Sequence, residues 1–259
     1  MVSQLASLAE AVALYRGRRY GAARRIVDRI LREQPEHGRA WELRGLLWWA
    51  VGERGLAEGS LETAMTLVPL CPAAAVALGD CYAAVPRCEL SGSLYELASA
   101  HPEASVATLL AAAAGLDGLG APHRSVRICR LAILRDAEFA QSYYDLGYYL
   151  KRTGAPPHIV EAAARQAIAL APDRLNYRVG LAGFLAQRGR IAEAHALVEH
   201  LQPAAIETAH CPCCLDRLAS VFETVGDHER SAACRARSQA LTTRHGTASQ
   251  REVDPCDGC

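Results

Sequence analysis

Neither sign of charge is in surplus in this chain: Lys and Arg total 28, and Asp and Glu total 28. Without a net field, the protein is not built to gather nucleic acid or an anionic membrane through bulk charge. No uninterrupted apolar run reaches the roughly 18 residues a membrane-spanning helix requires. The N-terminal MVSQLASLAEAVALYRGRR lacks the basic start and continuous apolar core of a secretion signal. Its Leu5, Leu8, Val12 and Tyr15 are spaced as on an amphipathic helix. The expectation is a soluble, cytoplasmic protein with neither nucleic acid nor membrane as partner.

Signatures of catalysis are also missing. Gly115-Leu-Asp-Gly-Leu-Gly120 holds three glycines, but not in the GxGxxG order and not after a strand pattern, so it reads as a turn. His195 and His200 stand five residues apart, which separates them by roughly 140° around a helix and prevents a shared metal. There is no nucleophile elbow and no P-loop. An enzyme is not expected.

What is present is a repeated pattern, clearest between Gly38 and Leu70. There Trp41, Gly45, Trp48, Ala57, Leu61, Ala64 and Pro69 follow one another at set offsets. Two amphipathic helices meet at Gly52–Gly55, small residues let their backbones approach, and Pro69 stops the second helix. The pattern recurs from Ser3 to Glu36, through Leu78, Gly79 and Tyr82, weakly through Ala111, Ala112 and Gly115, and again through Tyr143, Leu146, Gly147 and Leu150. It continues through Asn176, Val179, Gly180 and Gly183, then Leu218, Ala219 and Phe222. Prolines 35, 69, 102, 172 and 203 lie 34, 33, 70 and 31 residues apart, the 70 spanning a degenerate repeat. One such hairpin cannot bury its own apolar face, so neighbours must stack on it.

This pattern resembles the tetratricopeptide repeat, with Arg44 where that family usually has Leu. The resemblance implies an all-α fold: a right-handed superhelical α-solenoid of about seven hairpins over residues 3–243. Residues 244–259 would form a polar tail. It further implies an inner groove lined by the first helices, holding a partner's peptide segment or domain. Carried onto this chain, the groove positions include Tyr15, Arg39, Trp49, Tyr144, Tyr148, Lys151, Arg152, Arg174, Tyr177 and Arg178, with Phe184 beyond them. Aromatic plates interleaved with cations suit a peptide, the rings burying apolar area while guanidinium groups fork onto carboxylates. Arg174 and Arg178, with Lys151 and Arg152, resemble the family's carboxylate clamp. Asp145 and Tyr148 stand where the clamp has asparagines, so an acidic or aromatic segment is expected rather than a terminal carboxylate.

Ten cysteines are unusual for such a chain. Cys71, Cys81, Cys88 and Cys129 are scattered and read as packing residues. Cys211-Pro-Cys213-Cys214 and Cys256-Asp-Gly-Cys259 each contain a C-x-x-C pair. An antiparallel last hairpin brings the chain end back beside its own start, and a ten-residue tail reaches roughly 30 Å. Cys211, Cys214, Cys256 and Cys259 are therefore candidate ligands of a structural zinc that ties the tail down as a cap. Cys213 and His210 are substitutes for a ligand. An iron–sulfur cluster on the same thiolates, a disulfide or redox pair, and an unligated tail are the alternatives. The leading function is a non-enzymatic adaptor, self-association remaining open. The competing one is a metal-handling or redox accessory to a biosynthetic or maturation enzyme.

Overall fold

A computed structural model describes residues 2–84, 88–207, 209 and 212–247, with side chains for 8–84, 89–207, 209 and 212–243. All regular structure among the described residues is helical. α1 (Val2–Arg16) and α2 (Tyr20–Glu33) make the first hairpin, and α3 (Gly38–Ala50) and α4 (Arg54–Leu67) the second. The third and fourth are α5 (Pro72–Ala83) with α6 (Cys88–Ala100), and α7 (Val106–Gly118) with α8 (Pro122–Arg135). α9 (Ala140–Arg152) pairs with α10 (Pro157–Leu170), and α11 (Leu175–Ala186) with the short α12 (Ile191–Ala196). After α13 (Pro203–Glu207), α14 (Pro212–Thr224) and α15 (His228–Thr247) close the described chain, α15 running beyond residue 243. The chain divides into two compact units, residues 1–131 and 132–259, the division falling inside α8.

Each helix ends where the sequence removes its means of continuing. α2, α4, α6 and α10 stop two residues before Pro35, Pro69, Pro102 and Pro172. The degenerate fourth repeat has no such proline. Asp136 stands in its place, and its Oδ1 accepts the Glu138 N–H at 3.0 Å in an Asx turn. Within the second hairpin the reversal passes through Gly52 at φ +83°, a left-handed conformation that a Cβ would strain.

Packing within hairpins depends on a ladder of small residues at a 34-residue period. Ala11, Gly45, Gly79 and Ala113 occupy one position of successive first helices, and Ala23, Ala57, Ser91 and Ser125 face them from the second helices. Where serine replaces alanine it is fully buried and satisfied internally. Ser91 Oγ donates to the Gly79 carbonyl at 2.8 Å, Ser125 Oγ to Ala113 at 2.7 Å, and Ser231 Oγ to Ala219 at 3.0 Å. In the first unit, Ala11, Val27, Ile30, Leu43 and Leu47 build a core continuous across the first two hairpins. Arg44 lies over the Trp41 ring with its Cζ 5.0 Å from the centroid and its Nε 3.7 Å from Asp28, so its aliphatic stem takes the packing place of leucine.

The tightest contact surrounds Tyr95, which is 1% exposed. A Cβ on Gly79 would meet its ring at 2.8 Å, and one on Gly115 would meet it at 2.2 Å. Its hydroxyl donates to Asp80 Oδ1 at 2.7 Å, so the ring cannot retreat without breaking that bond. In the second unit Glu161 is buried between two arginines. Arg165 and Arg190 both donate to it, and Arg190, at 2.6 Å from Glu161, also reaches Glu193 at 2.6 Å. The second helix of the sixth hairpin stops early at Ala196, and the following turn tucks Val198 and Leu201 into the core.

Two glycine substitutions are expected to act in opposite directions. Gly115→Ala should lower unfolding stability by about 1–3 kcal/mol through overpacking against Tyr95. Gly59→Ala, at an exposed position of α4 with open space around it, should raise stability by up to about 1 kcal/mol through helix propensity. Urea titrations of both variants measure the two changes directly.

Candidate partner-binding site

The second unit contains a cavity of about 290 Å³ built from α9, α10, α11 and α14. Its floor is made by Gly147, Val160, Ala164, Gly180 and Leu181, and its walls by Tyr144, Tyr148 and Phe184. Lys151, Arg152 and Arg217 complete the lining. Glycine is needed at one floor position, because a Cβ on Gly180 would stand 2.9 Å from the Tyr144 ring.

A period of 33 residues assembles this site. Lys151, Phe184 and Arg217 occupy the same place in α9, α11 and α14, as do Tyr144 and Tyr177 in α9 and α11. The Lys151 ammonium stands 5.9 Å from the Phe184 ring centroid, and the Arg188 guanidinium packs over that ring at 4.8 Å. Tyr144 and Tyr177 pack with centroids 4.8 Å apart. The Arg217 stem lies against Gly183, where a Cβ would come within 2.9 Å of its Cδ.

Of the residues expected to line a groove, Tyr144, Tyr148, Lys151, Arg152 and Phe184 come together in this cavity. Tyr177 supports it from below: the ring is 2% exposed and its hydroxyl donates to Gln141 Oε1 at 2.9 Å. Gln141 Nε2 in turn donates to Asp145 Oδ1 at 2.6 Å. Arg174 is exposed at the start of α11, and Arg178 is half-buried with its Nε lacking a hydrogen-bond partner. Among the described residues neither forms an ion pair with Asp145 or Asp173.

Tyr15, Arg39 and Trp49 belong to the first unit. Arg39 Nη1 binds Glu42 at 2.9 Å and the Pro69 carbonyl at 3.0 Å, while Glu42 accepts the Cys71 N–H at 2.6 Å. Arg39 thus staples the connection between α4 and α5. Trp49 stands beside Asp80, which Tyr95 holds by a hydrogen bond, and is 38% exposed. Tyr15 packs against Tyr20 at 5.8 Å.

Arg217 escaped the sequence reading, although stepping 33 residues on from Lys151 and Phe184 reaches it. The floor residues escaped too, because small residues at a helix crossing carry no chemical signal of a cavity.

Electrostatics separates the site from the core. Lys151 donates to the neutral Gln187 Oε1 at 3.0 Å. Its ammonium is held below the ordinary lysine range by desolvation first, then by repulsion from Arg217 and Arg188. Asp145 lies outside the cavity lining, and desolvation pushes its carboxyl up to about 6 against the Gln141 hydrogen bond. Cys81 and Cys234 are packing groups: burial pushes their thiols up to about 11. His195 packs edge-on against Phe222 at 6.4 Å, while His200 projects outward beside Glu199.

Of the four proposed zinc ligands, Cys211, Cys256 and Cys259 lie outside the described residues, as does the substitute His210. Cys214 is buried in the first turn of α14, and its sulfur is in a disulfide. No three His, Cys, Asp or Glu side chains gather as a metal would need among the described residues. No helix among them is long and apolar enough to cross a membrane.

No protein-family model and no curated protein sequence matches the chain. Its fold is nonetheless shared with solved tetratricopeptide-repeat structures. PilF of Pseudomonas aeruginosa superposes with a TM-score of 0.61 at 14% identity, over 82% of this chain and 93% of that one. YrrB, a tetratricopeptide-repeat protein with an unusual peptide-binding site, gives 0.56 at 13% identity over 81% and 97%. Human IFIT1, solved as a dimer with PPP-AAAA, gives 0.53 at 12% identity over 92% and 73%. At these identities the likeness establishes the fold.

The raised Asp145 carboxyl makes a pH-dependent expectation. Between about pH 4 and 6 the folded chain binds a proton there that the unfolded chain has released, so this group's contribution to stability falls as pH rises. Asp145→Asn keeps an acceptor for Gln141 and should be more stable than the parent by about 1–2 kcal/mol at pH 7. The difference should vanish near pH 4 in paired denaturant titrations.

Proposed function

We propose that this chain is a non-enzymatic adaptor that holds a peptide segment or domain of another protein, with the α9–α11–α14 cavity as its recognition site. The observation that carries the reading is the convergence of Tyr144, Tyr148, Lys151, Arg152, Phe184 and Arg217 from three helices on one opening. Aromatic walls bury apolar area, and the cations give direction to what enters. The peptide-binding site named for YrrB, which shares the fold, lends support by analogy. Tyr15, Arg39, Trp49, Arg174, Tyr177 and Arg178 are proposed to contribute around or behind such recognition surfaces. Tyr177 would act by holding Tyr144 in place.

Selection from a displayed library of random twelve-residue peptides against the full chain tests this reading. Enriched peptides should bind the parent chain and lose at least about tenfold in affinity to Tyr148→Ala, a half-exposed position whose truncation removes a wall. If every selected peptide binds the variant as tightly as the parent, the cavity is not the site.

A structural zinc held by Cys211, Cys214, Cys256 and Cys259 is proposed as the cap of the last hairpin, with the metal supplying a cross-link between tail and solenoid. The second reading, a redox or metal-handling accessory, draws on the disulfide at Cys214. A sulfur cannot be a disulfide partner and a thiolate ligand at once, so the two readings require different states of one residue. Metal analysis beside serine variants of the four cysteines separates them. One zinc per chain, lost in each variant with a fall in melting temperature, is the outcome expected of the cap. Zinc removed by a mild chelator without unfolding supports metal handling. A metal-free chain with two of its ten thiols unreactive until reduction supports the disulfide.

A further inference from the structure

We infer that the α9–α11–α14 cavity takes an apolar or aromatic anchor side chain whose adjacent acidic residue is gripped by Lys151, Arg188 and Arg217, so that the partner segment is an acidic, anchor-bearing peptide. The inference rests on the peptide-binding reading and names the chemistry of the peptide.

Charge is the first argument. No carboxylate lines the cavity, while Lys151, Arg152 and Arg217 do, and Arg188 stands over its Phe184 wall. Among the described residues no carboxylate pairs with Lys151, Arg188 or Arg217. Elsewhere in the same unit some arginines are consumed by internal partners, as Arg190 is by Glu161 and Glu193. At the cavity the cations instead face one another around Phe184, and their repulsion adds to the desolvation that holds the Lys151 ammonium down. A carboxylate arriving among them removes that repulsion and forms charge-assisted hydrogen bonds in a partly desolvated setting. A lysine or arginine arriving there is repelled.

Shape is the second. A volume of about 290 Å³ lies at the bottom of the range of roughly 300–1,000 Å³ typical of small-molecule sites, and suits a side chain or two. Small residues Gly147, Ala164 and Gly180 line the cavity between helices, together with the rings of Tyr144, Tyr148 and Phe184. That geometry admits one bulky apolar group to its full depth, with the cations at the level of its neighbours along the peptide. An oligonucleotide fits less well. Tracking a phosphate backbone calls for an extended basic groove, whereas 28 basic residues are balanced by 28 acidic ones across this chain.

The test uses the peptides selected above, measured by fluorescence anisotropy against the full chain. They are expected to carry Asp or Glu beside Phe, Tyr, Trp or Leu. Replacing those acids by Asn and Gln should weaken binding by about 10-fold or more, and raising salt should weaken the acidic peptides alone. Lys151→Glu, at an exposed position that leaves the core intact, should lose the acidic peptides and enrich basic ones on reselection. Arg217→Gln, checked by its melting curve, should weaken the same peptides in the same direction. Selected peptides that lack acids, or that bind equally well after neutralisation, overturn the inference while leaving the peptide-binding reading in place. Peptides indifferent to Tyr148→Ala overturn that reading itself. A single-stranded oligoadenylate that binds more tightly than any peptide and is lost in Lys151→Glu would assign the site to nucleic acid instead.

Discussion

The close approach of paired helices at their smallest residues is the constraint on which the rest of this structure depends. Gly45 leaves no room for a Cβ beside Leu61, and Gly79 and Gly115 clasp the ring of Tyr95 from two sides. Interiors packed to this density do not adjust continuously, so each hairpin has one spacing and one register. Serines can replace alanines at the facing position because their hydroxyls return to a carbonyl of the adjoining helix. The contact remains small. A regular hairpin in turn delivers equivalent residues of successive first helices to adjacent places, and the cavity beside Phe184 follows from that alignment.

Charged residues play two distinct roles in this molecule. Glu42 and Glu161 are buried carboxylates, the first held by Arg39 and the second by Arg165 and Arg190. An unpaired carboxylate in such surroundings is expensive, so Arg39 and Arg190 are structural ties. Around Phe184 the situation is reversed. Lys151, Arg188 and Arg217 remain in contact with solvent, where an unpaired cation is tolerated, and their charge is available to a ligand. Residue type does not distinguish the two roles. Burial of the partner does.

The terminal cysteines illustrate a different kind of dependence. Cys214 belongs to a folded helix and is buried there, so its position follows from the last hairpin. Whether its sulfur meets another sulfur or a metal depends on oxidation state and metal supply, which chain geometry does not set.

Much of the architecture was legible in the residues because its determinants are local. Proline two residues beyond a helix, glycine at the hairpin reversal and small residues at a period near 34 act within one repeat, and they located the hairpins, including the weak fourth. Tyr144, Tyr148, Lys151 and Arg152 were legible as neighbours too, since offsets of four, seven and eight residues within α9 share one helix face. The sequence could not show that Arg39 is spent on Glu42 and a loop carbonyl, that Tyr177 supports Tyr144 from the core, or that α12 ends after Ala196. Nor could it disclose the cavity floor or the part taken by Arg217. By itself the sequence determined which segments become helices and how often they recur, because propensity and periodicity are properties of neighbouring residues. Only the tertiary structure decided which charges were left unpaired around an opening, because that depends on what packs against each side chain from helices far away in the chain.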